Sequence, residues 1–189
     1  MQHADALDEF FAQYPSFSYN RNVSSTQEFR RMRKQFNWVK NDRGKYPPES
    51  KAAWYSFRVA MVQTFNGTFG TDTEDRRAWM RIGARLNIVP LPRKLHDLRQ
   101  QVMLTHVNLC DMLDAERSGR QVEIFATEAD LVKYTRENHR YFPKEEAYAG
   151  GLLKYLLREI NNEYNGTRRP GGPKRGSKKG GRRGGQRQS

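Results

Sequence analysis

Cysteine is nearly absent from this sequence, with Cys110 the only one among 189 residues. A single cysteine excludes an internal disulfide framework and any zinc cluster built from cysteines. Long apolar runs are also missing, since no stretch approaches the roughly 18 to 20 residues that a membrane helix requires. The opening MQHADALDEFFAQYP carries three acids and no long apolar stretch, which is not the pattern of a secretory signal. We therefore expect a soluble chain without a membrane segment.

Acidic residues are absent from residues 166–189, so this segment carries most of the net positive charge of the chain. The whole chain has 34 Lys and Arg against 21 Asp and Glu, a net charge of +13. Residues 166–189 hold nine of those cations and eight glycines, with no aromatic residue. This composition cannot bury enough apolar surface to offset the entropy of ordering, which predicts a disordered basic tail. Residues 1–165 are then expected to form a single helical domain with a net charge of only +4.

Apolar side chains of this domain recur mostly at the spacing of helices. The pattern predicts a mainly α fold of six or seven packed helices with at most a small strand pair. The helical stripes are Leu7/Phe10/Phe11, Phe29/Met32/Phe36, Trp54/Phe57/Met61/Phe65/Phe69, Trp79/Ile82/Leu86, Leu95/Leu98/Val102/Leu109/Leu113, Leu131/Tyr134 and Tyr148/Leu152/Tyr155/Leu156/Ile160.

Local signals predict where several of these elements begin and end. Ser25 lies three residues before Glu28, the spacing of a capping box that opens a helix. Asn66-Gly67 predicts fraying or the end of the third helix. The stripe from Leu95 to Leu113 predicts one continuous helix, and the alternation in Gln121–Phe125 predicts the only strand.

Four segments resemble those of a known group of proteins. They are FFAQYPSFSYN at 10–20, FNGTFGTD at 65–72, THVNLCD at 105–111 and FPKEEAYAGGLLKYLL at 142–157. Together they resemble a group of small, uncharacterised helical proteins of filamentous fungi, over roughly residues 9–160. The resemblance implies a eukaryotic, non-secreted setting and supplies no catalytic residue.

The tail has the composition of a segment that follows phosphates. Glycine lets the chain conform to a nucleic-acid backbone, and each neutralised phosphate releases a counterion. Without aromatic residues to stack on bases, the tail is not expected to read sequence. Its candidate nucleic-acid-binding residues are Arg168, Arg169, Lys174, Arg175, Lys178, Lys179, Arg182, Arg183 and Arg187.

The paired cations of the tail are also typical of a nuclear import signal. Lys174-Arg175, Lys178-Lys179 and Arg182-Arg183 would suit the acidic groove of an import receptor, which predicts a nuclear or nucleo-cytoplasmic location. An import signal alone, or a tail that serves solubility or an acidic partner, stays open beside nucleic-acid binding.

A second basic element lies on the predicted second helix. Arg30, Arg31 and Lys34 are expected to project away from its apolar stripe, and Trp38 and Tyr46 follow among further cations. Aromatic rings beside cations suit a nucleic-acid surface on which bases stack. The alternative is a solvated amphipathic face with Trp38 in the core.

Metal or nucleophile chemistry has little support in the sequence. His106 and Cys110 are four residues apart and would share a helical face, with Asp111 and Asp114 nearby. Zinc normally requires four ligands in defined spacing, so a buried structural cysteine is favoured and no metal or cofactor is expected. An enzyme using His106 or the acids at 111–116 would need these groups to converge in one cleft.

Composition and motifs together predict a non-enzymatic protein that associates with RNA or DNA without sequence specificity. The alternative is a helical protein-interaction module whose tail is only a nuclear import signal.

Overall fold

The computed structural model describes residues 4–144, 151–153 and 155–157, and the basic tail at 166–189 lies outside these described residues. Within them the fold is mainly α, as predicted, with seven bounded helices and one two-stranded sheet. None of the helices in this part of the chain is long and apolar enough to span a membrane. The elements are α1 (Ala6–Ala12), α2 (Ser25–Gln35), α3 (Pro48–Phe69), α4 (Arg76–Arg85), α5 (Leu95–Met103), β1 (His106–Val107), α6 (Leu109–Ser118), β2 (Ile124–Phe125) and α7 (Glu128–Asn138).

Aromatic rings form the centre of the core where α1, α2 and α3 meet. Phe57 of α3 stacks on Phe29 of α2 with ring centroids 4.7 Å apart, and Phe10 of α1 lies 5.6 Å from Phe57. All three side chains are almost fully buried. Burial of each large apolar side chain contributes roughly 1.5 to 3 kcal/mol, so this cluster fixes the positions of the three helices.

The predicted stripe on α4 is confirmed. Trp79 and Ile82 are buried, and the indole N–H of Trp79 donates to the carbonyl of Thr73 at 2.7 Å. Gly83 lies on the same helix, where an added Cβ would come within 2.8 Å of Leu91 and 3.1 Å of Leu98. The absence of a side chain therefore lets α5 and the preceding loop pack directly against α4.

The capping box predicted at Ser25 and Glu28 is wrong. Ser24 occupies the N-cap position of α2 without a side-chain cap, and Ser25 is the first helical residue. The Glu28 carboxylate instead accepts a hydrogen bond from the backbone N–H of Asn20 at 2.8 Å. A donor eight residues earlier in the chain has replaced the N-cap donor because the preceding loop folds back over the first turn of α2.

The long helix predicted from Leu95 to Leu113 is two helices separated by a strand. α5 ends at Met103, and β1 pairs antiparallel with β2, placing Val107 opposite Ile124. Asn108 then starts α6, since its side-chain oxygen accepts from the backbone N–H of Cys110 at 3.0 Å. The strand predicted at Gln121–Phe125 is confirmed only for its last two residues.

Gly67 and Gly151 occupy different environments in the fold. α3 continues through Asn66-Gly67, contrary to prediction, and ends at Phe69, where Gly70 adopts a φ of 94°. Near the end of the described chain, helical residues pack on the α3–α4 loop, and the N–H of Leu152 donates to the carbonyl of Thr71 at 3.0 Å. An added Cβ at Gly151 would lie only 2.9 Å from that carbonyl, so the absence of a side chain permits this close packing.

Candidate functional site

The nine predicted tail cations, from Arg168 to Arg187, lie outside the described residues. The structure therefore bears on the cations of the helical domain: Arg30, Arg31, Lys34 and their neighbours between α2 and α3.

Arg30 projects outward from α2, as its spacing predicts, but its guanidinium binds the protein itself. Its Nη2 donates to the carbonyl of Asn138 at 2.9 Å and to that of His139 at 3.0 Å. These carbonyls end α7, where His139 adopts a left-handed conformation. A cation at a helix C-terminus satisfies carbonyls that have no intrahelical partner. Arg30 thus joins α2 to α7.

Arg31 is also bound within the fold. Its Nε and Nη2 donate to the two carboxylate oxygens of Glu28, at 2.9 and 2.6 Å, and Nη2 also donates to the carbonyl of Ser18. Burial alone would raise the pKa of Glu28, but hydrogen bonds from Arg31 and the Asn20 N–H outweigh it and hold that pKa below its ordinary value. Arg31 therefore stabilises the loop before α2.

Arg33, between these residues and Lys34, lies among aromatic rings. Its guanidinium carbon is 4.0 Å from the centroid of the Tyr46 ring and 5.1 Å from that of Phe29. Such cation–π contacts hold the loop that follows α2 against the helix. The ring of Tyr46 is thereby already covered by a side chain of the protein.

Trp38, the other candidate for base stacking, is partly buried. Its ring stacks on Phe36 with centroids 5.2 Å apart and meets Tyr14 edge-on at 6.0 Å. This placement matches the alternative in which Trp38 belongs to the core. Trp38 and Tyr46 therefore support the loop and do not form an open stacking platform.

Five exposed cations lie between the last turn of α2 and the first turn of α3, and we call them the basic junction. Within the described residues, none of them forms an ion pair, and Asp42 and Glu49 are the only acids of residues 34–51. The basic junction consists of Lys34, Lys40, Arg43, Lys45 and Lys51.

The loop that carries the basic junction has a defined backbone. The side-chain oxygen of Asn41 accepts from the N–H groups of Arg43 at 3.1 Å and Lys45 at 3.0 Å. The Asn41 N–H donates to the carbonyl of Lys45 at 2.9 Å, and Gly44 supplies the positive φ of 69° that the turn requires. Of the three predicted body cations, Lys34 alone has no ion pair or side-chain hydrogen bond within the described residues, whereas Arg30 and Arg31 are engaged.

His106 and Cys110 do not share a helical face, so that prediction is wrong. His106 lies in β1, whereas Cys110 lies in the first turn of α6 and is fully buried. Burial raises the pKa of the Cys110 thiol well above its ordinary value. In the part of the chain that the structure describes, no group of three His, Cys, Asp or Glu residues is arranged to hold a metal ion.

The acids of α6 separate into two environments. Asp111 and Asp114 line a cavity of about 290 Å³, which we call the polar pocket, while Glu116 lies elsewhere and pairs with Arg85 at 3.2 Å. His106 is not among the residues that line the polar pocket. The convergence that an enzyme would need is therefore limited to the two aspartates.

Both aspartates of the polar pocket are buried, with 9% of Asp111 and 5% of Asp114 exposed. Asp111 forms an ion pair with Arg140, and Asp114 accepts a hydrogen bond from the Ser25 N–H at 3.1 Å. Burial raises the pKa of Asp114, and the hydrogen bonding from Ser25 opposes this rise. The sequence indicated these acids as candidates, but nothing in it placed Arg140 beside them.

An apolar groove of about 330 Å³ lies beside α7. Its lining includes Leu131 and Val132 of that helix together with Tyr141 and Phe142. Arg140 lines both this groove and the polar pocket. No sequence pattern identified this groove in advance, because it forms only where the segment after α7 turns back.

Comparison with protein-family models, with curated proteins and with solved structures finds no match to this chain. The resemblance to helical proteins of filamentous fungi therefore stays a prediction.

Proposed function

We propose that the protein is a non-enzymatic nucleic-acid-associated protein that binds RNA or DNA phosphates without sequence specificity. One observation carries the proposal: residues 166–189 contain nine cations and no acid. Neutralised phosphates release counterions whatever the base sequence, so a segment with many cations and no acid can bind any nucleic acid.

The basic junction supports this proposal from within the helical domain. Its five cations are exposed, and within the described residues none is paired with a carboxylate. Arg30 and Arg31 instead hold the fold together through the carbonyls of Asn138 and His139 and the carboxylate of Glu28. We therefore assign the domain's share of phosphate binding to Lys34 and the cations that follow it.

We expect contacts to phosphates rather than to bases because Trp38 and Tyr46 are packed against other side chains of the protein. Trp38 is stacked on Phe36, and Tyr46 lies under Arg33. Specific recognition of single strands normally uses open rings on which bases stack. With these two rings in use, neither of them is open to stack on a base.

Direct binding measurements test the proposal. Fluorescence anisotropy with one single-stranded RNA and one duplex DNA would compare the full chain with a variant lacking 166–189. We expect deletion to weaken binding to both probes, and to a similar degree for unrelated sequences. Unchanged affinity would refute the role of the tail.

A matched pair of triple variants tests the basic junction. Lys40→Gln, Arg43→Gln and Lys45→Gln together remove three exposed cations from it, and we expect weaker binding to both probes. The control variant changes three cations that are also exposed but lie outside the basic junction: Arg93→Gln, Lys94→Gln and Lys133→Gln. Equal losses in the two triple variants would show that only net charge matters and would refute a local interface.

Nuclear entry is a further part of the proposal. The paired cations of the tail would engage an import receptor, and the same residues would contact nucleic acid after entry. A fluorescent fusion of the full chain is expected to accumulate in the nucleus, and the fusion lacking 166–189 to lose that accumulation. Equal distribution of both fusions would refute the import role.

The second candidate function is a protein-interaction module whose tail only directs it to the nucleus. The apolar groove beside α7 favours it, because Tyr141 and Phe142 line a surface suited to the apolar face of a partner helix. Affinity purification with and without nuclease separates the two functions. Partners lost after nuclease treatment support nucleic-acid association, and partners that survive it support the module.

A further inference from the structure

The polar pocket contains hydrogen-bond acceptors that the described residues leave unused. Oδ2 of Asp111 and Oδ2 of Asp114 are buried and have no hydrogen-bond donor at normal distance and angle among the described residues, although the hydroxyls of Ser24 and Ser25 lie close enough to Asp114 to lower its pKa. Both residues are buried, with 9% of Asp111 and 5% of Asp114 exposed, and both line the pocket. A buried carboxylate oxygen without a donor is unfavourable, so a ligand that supplies donors there would be stabilised.

The cations that line the same pocket are already engaged. Arg140 forms its ion pair with Asp111, and Arg120 donates to the carbonyl of Asn22 at 2.8 Å and to the Ser118 hydroxyl at 3.0 Å. Glu123, at the exposed edge of the pocket, adds a third carboxylate. Three carboxylates against two engaged guanidinium groups favour a cationic ligand over an anion.

We propose that the polar pocket binds a small organic cation with N–H donors, an alkylammonium or a guanidinium, whose charged nitrogen donates to Asp114 and Asp111. A cavity of about 290 Å³ suits a small ligand, and the ring of Tyr134 lines it as a surface for an alkyl chain. A metal ion fits less well, because no three carboxylate, His or Cys side chains among the described residues are arranged to coordinate one.

This site is separate from the proposed nucleic-acid interface. Ser25, which donates to Asp114, is at the start of α2, and Lys34 is about 14 Å further along the helix axis at 1.5 Å per residue. Loss of nucleic-acid binding in the variants described above would leave ligand binding at the polar pocket intact. The two proposals can therefore fail independently.

An NMR titration of the full chain tests the proposal. n-Butylammonium and methylguanidinium are the probes, and tetramethylammonium is the control because it has the same charge but no N–H donor. We expect saturable shifts centred on the backbone amide of Ser25, which reports directly on Asp114. We expect no saturable shift there with tetramethylammonium.

Matched variants locate the cation. Asp114→Asn keeps the acceptor for the Ser25 N–H but removes the charge, and we expect affinity to fall about tenfold or more. Glu116→Gln makes the same charge change on the same helix outside the pocket, and we expect it to bind like the wild type. Glu123→Gln changes only the exposed edge and should weaken binding severalfold, which provides a second readout if Asp114→Asn does not fold.

Three results would overturn the proposal. The first is the absence of a saturable shift with either cation up to about 10 mM. The second is an equal response to tetramethylammonium. The third is wild-type affinity in Asp114→Asn or, if that variant does not fold, in Glu123→Gln.

Discussion

Arg117 Nε lies 2.7 Å from Asp5 Oδ2, which joins the last turn of α6 to the residue that caps α1. Nη2 of the same side chain donates to Asp8 at 2.6 Å, and only 5% of Arg117 is exposed. Nothing in the local sequence around Arg117 indicates this pair, because its partners are more than a hundred residues away. The contact holds the start of α1 against the end of α6.

Replacing Arg117 by Met should therefore destabilise the protein strongly. Asp5 and Asp8 would keep their ion pairs with Arg21 but lose the hydrogen bonds from Arg117, and the loss of such a partner in a partly buried site costs about 1 to 3 kcal/mol. Urea unfolding measures the change. Arg77→Met, at an exposed position of α4, is the control and should stay within about 0.5 kcal/mol of wild type. A loss below about 1 kcal/mol at Arg117 would contradict its structural role.

Replacing Arg31 by Gln should reduce stability and leave nucleic-acid binding unchanged. The buried carboxylate of Glu28 would lose two hydrogen bonds, which costs about 1 to 3 kcal/mol. Chemical unfolding and anisotropy on the same preparation measure both properties. A normal unfolding midpoint with weakened binding would return Arg31 to the nucleic-acid interface and contradict the present assignment.

Gly151→Ala and Gly67→Ala should change stability in opposite directions. The Cβ at position 151 would meet the backbone carbonyl of Thr71 at 2.9 Å, and such overpacking costs about 1 to 3 kcal/mol. The Cβ at position 67 has nothing within 4 Å and lies within α3, where Ala is favoured over Gly by about 0.5 to 1 kcal/mol. Thermal unfolding of both variants measures this difference, and destabilisation by both would contradict the described packing.

Asp114→Asn should stabilise the protein at neutral pH while it abolishes most cation binding. Burial raises the pKa of Asp114, so the folded protein holds this proton more tightly than the unfolded chain, where the pKa is near 3.8. The raised pKa therefore adds to the stability of the folded protein at a pH below the unfolded pKa. This added stability is lost as the pH rises through the pKa of the folded state. Asn lacks this ionisation, and its advantage should shrink as the pH is lowered towards 3.8. A variant less stable than wild type at neutral pH would contradict this sign.

The features predicted from sequence are those set by local periodicity. Trp79 and Ile82 are buried as expected, because apolar spacing on one helix determines which face enters the core. The sequence pattern does not indicate the break between α5 and α6, since the apolar spacing from Leu95 to Leu113 continues through it. There the side chain of Asn108 caps α6 and residues 106–107 pair with 124–125, a tertiary arrangement that overrides the helical pattern.

The sequence indicates several residues of the candidate site, but it does not indicate which partners they contact. Spacing on α2 correctly placed Arg30 on the outer face, but its bonds to the end of α7 span more than a hundred residues. The same holds for the polar pocket, in which Asp114 receives the Ser25 N–H and Asp111 pairs with Arg140. Local patterns indicate which side chains are exposed, and only the packed fold decides which of them remain available to a ligand.

The central claim is that residues 166–189 and the basic junction bind phosphates, and the salt dependence of affinity tests it most directly. For the full chain on duplex DNA we expect the logarithm of the binding constant to fall linearly with the logarithm of salt concentration. Nine tail contacts would give a slope of about −8, and each cation removed should flatten it by about 0.9. Deletion of 166–189 should flatten the slope markedly, and the triple variant at Lys40, Arg43 and Lys45 should flatten it by up to about 3. The same slope for the full chain and the deleted chain would contradict the account.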